Sequence, residues 1–303
     1  MCETRAWDEL VDLKARCEHA LERGKQLWPI AAHVDYRLAL EAPGEYAGAV
    51  LESRAMRFAP GPLTEVTAST HRWSELVPHM PSPQAAAYVA QERVLRGEVL
   101  TGDGRARPEV LELPLELQPW EPTYALATYR ANEVEVAEPW EPKARLRELG
   151  PGQGRELDDP DVENALLDLV QPWVSESNGA ARAAVVEGDA AATASRLTFG
   201  SLRMGELTPA EALQRMAWAA ASGGAHGRRR GAALGRFLAW YATSVLAGLG
   251  WPVEPEALGD AVAGLNWFRW DEGAPEEGWV LRFAVESREG WSAALAATDL
   301  LDN

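Results

Sequence analysis

The fold is decided by the stretch Leu265-Asn266-Trp267-Phe268-Arg269-Trp270, which is followed after a polar turn by Trp279-Val280-Leu281-Arg282-Phe283-Ala284-Val285. Aromatic runs of this density are typical of strands, and the acidic, Gly- and Pro-containing residues 271–278 are typical of a turn. The sequence therefore predicts a β-hairpin over residues 265–285. Trp267 and Arg269 should face one side of the first strand, with Phe268 and Trp270 on the other. Because both faces carry aromatic rings, we expect both to be covered.

A hairpin alone is marginally stable, so this one should pack on helices or pair with another strand. The residues around it predict helices. Thr208-Pro209-Ala210-Glu211 predicts a helix start, with threonine at the N-cap, proline at the first position and glutamate completing a capping box. A long helix is predicted over 227–249 and a last one over 288–300, while residues 180–187 are predicted to continue an earlier helix.

The fold class predicted from these patterns is mainly α, with antiparallel helix pairs in two layers and a small C-terminal β-hairpin. Ser82-Pro83 predicts an N-cap and first helical residue for a helix over 84–96 in the N-terminal half. Amphipathic spacing predicts further helices before it.

Three regions are predicted along the chain. Residues 1–149 form an N-terminal helical region with a Pro/Trp-rich segment at 108–142, and residues 161–303 form a C-terminal helical region that carries the hairpin. Residues 150–160 are predicted to be a linker, because Gly150-Pro151-Gly152-Gln153-Gly154 disfavours regular structure.

The Pro/Trp-rich segment contains a repeated tetrapeptide. Pro119-Trp120-Glu121-Pro122 recurs as Pro139-Trp140-Glu141-Pro142. We interpret the repeat either as coincidence or as two similar bends in which a tryptophan anchors a proline-rich crossing to the core. The prolines are too sparse for a polyproline recognition ligand.

Charge and composition exclude several classes of protein. The 303 residues carry a formal net charge of −17, which repels nucleic acid and other polyanions. No apolar run is long enough to cross a bilayer, and the charged N-terminus does not resemble a signal peptide. Two cysteines, Cys2 and Cys17, do not predict a disulfide framework. We therefore expect a cytoplasmic protein that binds neither nucleic acid nor membranes.

One cluster departs from the acidic trend. Residues 222–236 read Ser-Gly-Gly-Ala-His-Gly-Arg-Arg-Arg-Gly-Ala-Ala-Leu-Gly-Arg, a glycine-rich loop that opens a helix. Arg228, Arg229 and Arg230 are predicted in the first turn of that helix, with His226 just before it. Cations are unfavourable at a helix N-terminus, where the backbone carries partial positive charge. A bound anion or nearby carboxylates would relieve this conflict.

Two interpretations of the cluster remain open. In the first, His226, Arg228, Arg229 and Arg230 bind an anionic ligand such as a phosphate, a nucleotide, a carboxylate metabolite or an acidic partner. In the second, the arginines pair with the chain's own Asp and Glu residues, and the small residues after them allow close helix packing. The spacing matches neither a P-loop nor a dinucleotide fingerprint.

No catalytic or metal-binding constellation is recognisable in the sequence, so no cofactor or metal is predicted. A nucleophile elbow and the alternating oxygen ligands of a calcium loop are both missing. The leading hypothesis is a cytosolic, non-enzymatic binding or scaffold protein that contacts another protein. The alternative is a binding protein or enzyme that uses the cluster at 226–230 on a small anionic molecule.

The chain also resembles a family of uncharacterised bacterial proteins of about this length. The resemblance rests on residues 217–233, on Trp251-Pro252-Val253 and on Trp267-Phe268-Arg269-Trp270-Asp271. Residues 22–33 and 36–43 look like the N-terminal region of the same family. The resemblance covers most of the chain, and it implies no activity because such proteins have no assigned function.

Overall fold

The computed structural model describes residues 1–24, 26–53, 59–138 and 145–300. The chain divides into two compact units. The first comprises the described parts of Met1–Leu117 together with Leu126–Ala137 and Gly231–Ala233. The second comprises Gln118–Ala125 and the described parts of Glu138–Arg230 and Leu234–Asn303. The second copy of the Pro-Trp-Glu-Pro repeat, at residues 139–142, lies outside the described residues.

The first unit is helical, with a small two-stranded sheet. Its helices in the described residues are α1 (Trp7–Glu22), α2 (Trp28–Glu41), α3 (Gly44–Ala49), α4 (Leu63–Thr70), α5 (Trp73–Leu76), α6 (Pro83–Leu95) and α7 (Pro108–Leu111). Its strands are β1 (Ala127–Tyr129) and β2 (Val134–Val136), which pair antiparallel. Leu38, Leu63 and Val89 are fully buried in its core. Ser82 Oγ accepts a hydrogen bond from Ala85 N at 3.1 Å, which confirms the predicted N-cap of α6.

The second unit is built on a seven-stranded antiparallel sheet. Its strands are β3 (Arg147–Leu149), β4 (Arg155–Leu157), β5 (Ala180–Glu187), β6 (Leu202–Leu207), β7 (Asn266–Asp271), β8 (Trp279–Glu286) and β9 (Trp291–Asp299). They lie side by side in the order β3-β6-β7-β8-β9-β5-β4. Its helices are α8 (Pro160–Asp168), α9 (Gln171–Ser175), α10 (Ala190–Leu197), α11 (Pro209–Ala221), α12 (Ala232–Leu246) and α13 (Pro255–Gly264). The first two residues of α12 belong to the first unit.

The prediction of a mainly α fold with a small hairpin is wrong. The strands β7 and β8 of the predicted hairpin are present and pair antiparallel, but they lie at the centre of the seven-stranded sheet. Residues 180–187 and 291–299, predicted as helix, form β5 and β9. β4 lies within residues 150–160, which were predicted as a linker, and forms one edge of the sheet.

Alanine explains the error at β9. Its sequence Trp291-Ser292-Ala293-Ala294-Leu295-Ala296-Ala297 favours a helix by intrinsic propensity. In the fold this strand pairs with β8 on one side and β5 on the other, and Ala293, Ala294 and Leu295 are buried. A strand that is buried on both faces shows no polar alternation, so period-based reasoning does not detect it.

Both faces of β7 are covered, as the aromatic residues predicted. Phe268 and Trp270 pack in a cluster with Ala190, Ala194 and Leu197 of α10. On the other face, Trp267 Nε1 donates to the carbonyl oxygen of Val262 in α13 at 3.0 Å. The predicted capping box of Thr208 and Glu211 is confirmed at the start of α11. No helix among the described residues is long and apolar enough to span a membrane.

Candidate functional site

All four predicted site residues lie in one loop between α11 and α12. We call residues 222–230 the arginine loop. His226 and Arg228 are exposed, whereas Arg229 and Arg230 are half-buried. The prediction that the arginines form the first turn of the helix is wrong, because α12 begins at Ala232. Gly231 precedes it with φ +97°, a left-handed backbone conformation that favours glycine.

Glycines allow the arginine loop to fold back on itself. A Cβ on Gly223 would overlap the backbone of Gly227 and Arg228, and a Cβ on Gly227 would overlap the carbonyl oxygen of Gly223. Gly224 has φ +75°, and a Cβ there would overlap a carboxylate oxygen of Asp299. The glycine-rich sequence therefore specifies a tight, closely packed turn.

Hydrogen bonds fix the backbone of the arginine loop. Ala225 N donates to Asp299 Oδ2 at 2.6 Å, and His226 N donates to Ser177 Oγ at 3.0 Å. Arg228 N lies 3.5 Å from Glu176 Oε2, and Arg230 N donates to the carbonyl oxygen of Ala221 at 2.8 Å. These bonds hold the main chain and leave the side chains of His226 and Arg228 directed to solvent.

A tryptophan cluster holds the start of the loop. Trp173 is fully buried, and its Nε1 donates to Ser222 Oγ at 2.8 Å. Its ring meets the rings of Trp218 and Trp279 edge-on, at centroid distances of 6.0 and 6.2 Å. Trp218 and Trp279 stack at 5.0 Å. The start of the loop is thus anchored to a group of three packed tryptophan rings.

Two buried glutamates, Glu65 and Glu92, lie in the first unit with Gly231–Ala233. Ala232 N donates to Glu65 Oε1 at 3.3 Å, and Ala233 N donates to Glu92 Oε1 at 2.7 Å. The first backbone N–H groups of α12 are therefore taken by the chain's own carboxylates, where a free anion would otherwise be favoured.

Each of these carboxylates has a further partner. Tyr129 OH donates to Glu65 Oε2 at 2.7 Å, and Arg96 Nη1 donates to Glu92 Oε2 at 2.6 Å. Glu65 and Glu92 are 0% and 1% exposed. Sequence reasoning did not identify this pair. The available signal was that Glu92 follows Val89 by three residues and so shares the apolar face of α6.

Glu92 carries a perturbed pKa. Burial is the main cause that raises it above the ordinary value of 4.5, and repulsion from Glu65 raises it further. Arg96 and the N–H of Ala233 act in the opposite direction. The folded protein consequently holds a proton on Glu92 more tightly than the unfolded chain does.

This raised pKa predicts a pH dependence of stability. As the pH rises from about 4.5 through the folded-state pKa, the unfolded chain loses its proton first, so the stability contributed by Glu92 falls. A Glu92→Gln variant does not titrate at this position. Urea unfolding at several pH values gives the free energy of unfolding of both proteins. The value for the wild type minus the value for the variant should fall as the pH rises. A difference that stays constant or rises would contradict this assignment.

The helix N-terminus and the arginine side chains bear differently on the two interpretations of the cluster. The helix N-terminus is occupied by carboxylates of the chain, while Arg228 and Arg230 form no ion pair among the described residues. Binding of an anion by the side chains of His226, Arg228, Arg229 and Arg230 stays a prediction. Within the described ranges, no group of three or more His, Cys, Asp or Glu residues is arranged to hold a metal ion.

Comparison with known proteins gives a family but no relative with an assigned role. The model of a family of unknown function (DUF6183) matches residues 1–300. This match confirms the resemblance to an uncharacterised family. No curated protein and no solved structure matches the chain.

Proposed function

We propose that this chain, which belongs to the family of unknown function DUF6183, is a binding protein. It contacts an acidic segment of a partner protein through the arginine loop. The observation that supports this proposal is the exposure of His226 and Arg228 on a loop whose backbone is already fixed. The proposal involves no catalytic step.

A fixed backbone favours binding because less conformational freedom is lost when the partner docks. The arginine side chain adds planar, bidentate donors that match carboxylate geometry. Among the described residues, no carboxylate forms an ion pair with Arg228. Its guanidinium is therefore available to a carboxylate of another molecule.

The charge of the whole chain limits which acidic partners can bind. At a net charge of −17, most of the surface repels an acidic segment, and the arginine loop is a local exception. Attraction at this loop should be short-ranged and should weaken as salt screens it. Specificity would then come from the position of the loop rather than from a broad basic face.

An octaglutamate peptide tests the proposal as a simple acidic probe. Arg228→Ser should weaken its binding about tenfold, since a hydrogen bond to a charged group contributes about 1.5 kcal/mol. Fluorescence anisotropy of the labelled peptide at low and high salt measures the affinity. The matched control is Arg288→Ser, because Arg288 is also an exposed loop arginine. If the peptide does not bind the wild type, or if both variants lose the same affinity, the proposal fails.

A small anionic ligand is a second candidate for the same loop. The half-burial of Arg229 and Arg230 favours it, because partly desolvated arginines bind phosphates and carboxylates more strongly. A ligand at 100 times its Kd should add about 2.7 kcal/mol to the free energy of unfolding. A thermal-shift screen with inorganic phosphate, ATP and citrate separates the two candidates. Stabilisation by one of these ions, lost in Arg228→Ser but kept in Arg288→Ser, would favour the small ligand.

A further inference from the structure

The second unit contains a cleft that is separate from the arginine loop. It consists of two adjoining chambers of about 360 and 430 Å³. Both chambers are lined by Asp159, Val162, Val245 and Gly248, so they adjoin each other between the start of α8 and the end of α12. Chambers of this size match those that enclose small organic ligands.

The walls of the cleft combine polar groups with apolar and aromatic side chains. Val185, Leu246 and Trp291 line the first chamber, and Tyr241 and Trp251 line the second. The rings of Tyr241 and Trp251 pack edge-on with centroids 5.8 Å apart. The cleft therefore offers contact area for the apolar body of a ligand and aromatic rings for a cation.

Every charged residue that lines the cleft is acidic. Asp159 and Asp161 line the second chamber, and Glu289 joins Asp159 in the first. None of these carboxylates forms an ion pair with a lysine or arginine among the described residues. The charged side chains that line the cleft therefore give it a net negative charge.

Acidic residues and helix ends surround the cleft. Burial is the main cause that raises the pKa of the Glu163 carboxyl above its ordinary value, and repulsion from Asp158, Glu156 and Asp159 raises it further. The C-terminal end of α12 also lies at the cleft, where Ala247 and Gly248 line its wall. The end of a helix carries partial negative charge on its last carbonyl groups, whereas the start of α8 carries partial positive charge. Asp159 caps that start, because its Oδ1 accepts a hydrogen bond from Val162 N at 3.2 Å.

We propose that this cleft binds a small organic cation, an ammonium or guanidinium group carried on an aliphatic or aromatic body. The cationic group would lie near Asp159, Asp161 and Glu289, and the body would pack on the apolar and aromatic walls. This ligand has the opposite charge to the partner of the arginine loop, and no residue of that loop lines the cleft, so either proposal can fail without the other.

The probes are hexylamine, hexanol and hexanoate, which share one apolar body and differ in charge. Hexylamine should bind, hexanol should bind at least about tenfold more weakly, and hexanoate should not bind detectably. Isothermal titration calorimetry with the full chain measures each affinity. Equal affinity for hexylamine and hexanol would overturn the proposal, because it would show an apolar cleft without selection for charge.

Variants locate the binding. Asp161→Asn and Glu289→Gln should each weaken hexylamine binding about three- to fivefold, and both changes together should weaken it by about tenfold or more. Asp161 and Glu289 are exposed, so these changes should leave the fold intact. Asp260→Asn is the matched control, since Asp260 is an exposed acid that does not line the cleft. No binding of hexylamine to the wild type, or an equal loss in the Asp260 variant, would also overturn the proposal.

Discussion

Replacing Arg236 with methionine should lower the free energy of unfolding by about 3–5 kcal/mol, the usual cost of leaving one partner of a buried ion pair alone. Arg236 lies in α12, and its Nε and Nη2 donate to the two carboxylate oxygens of Glu121 at 2.8 and 2.6 Å. Both side chains are 0% exposed. Without the guanidinium, Glu121 is an uncompensated charge that water cannot reach.

The other donors to Glu121 cannot replace Arg236. Trp240 Nε1 and Tyr124 OH both donate to Glu121 Oε2, at 2.9 and 2.5 Å. Burial raises the pKa of Tyr124 well above its ordinary value of 10, so its hydroxyl keeps its proton and stays a donor. These bonds orient the carboxylate but leave its charge in place.

A double variant provides the control for this prediction. Arg236→Met combined with Glu121→Gln removes both charges, so it should cost less than Arg236→Met alone. Urea unfolding of the wild type, both single variants and the double variant gives the coupling free energy. If Arg236→Met costs less than about 1 kcal/mol, or if the two single costs simply add, the pair does not act as a buried ion pair.

Replacing Trp173 with alanine should lower the free energy of unfolding by about 3–5 kcal/mol, because a large buried ring leaves a cavity. Trp173 is 0% exposed and touches the rings of Trp218 and Trp279. Its Nε1 also donates to the Oγ of Ser222, which is the first residue of the arginine loop. We therefore expect faster amide hydrogen exchange at residues 222–230 in the variant as well as lower stability.

Trp173→Phe separates packing from the hydrogen bond. It keeps an aromatic ring in the cluster but removes the indole N–H, so it should cost about 1–3 kcal/mol and leave less of a cavity. If the alanine and phenylalanine variants were equally destabilised, the cavity would not be the main cause. Unchanged exchange at residues 222–230 in both variants would mean that Trp173 does not hold the loop.

Local signals in the sequence predicted local structure well. The capping box at Thr208 and the N-cap at Ser82 depend on residues within one helical turn, and both are present. The strands β7 and β8 were recognised from their aromatic residues. The sheet around them was not, because β5 and β9 are rich in alanine and pair with each other although they lie far apart in the sequence. Propensity is a weak guide where tertiary burial determines the structure.

The same distinction applies to the candidate sites. The arginine loop is one continuous segment, so its composition alone drew attention to it. Glu65 and Glu92 lie 167 and 141 residues from the N–H groups that they bind, and no local pattern connects them. The acidic cleft combines residues from α8, the end of α12 and the turn before β9. Such a site exists only once the sheet and its helices are assembled.

The two edge strands of the large sheet have a consequence for how this protein behaves at high concentration. β3 and β4 are three residues long, and each begins with an Arg-Glu pair exposed to solvent. A strand from another molecule could add only a very short ladder there, and it would have to accommodate charged side chains at both positions. The aromatic and alanine-rich strands β7, β8 and β9 each pair with a strand on both sides and so lie inside the sheet. The order of strands thus protects the most aggregation-prone part of the chain from growing into a continuous intermolecular sheet.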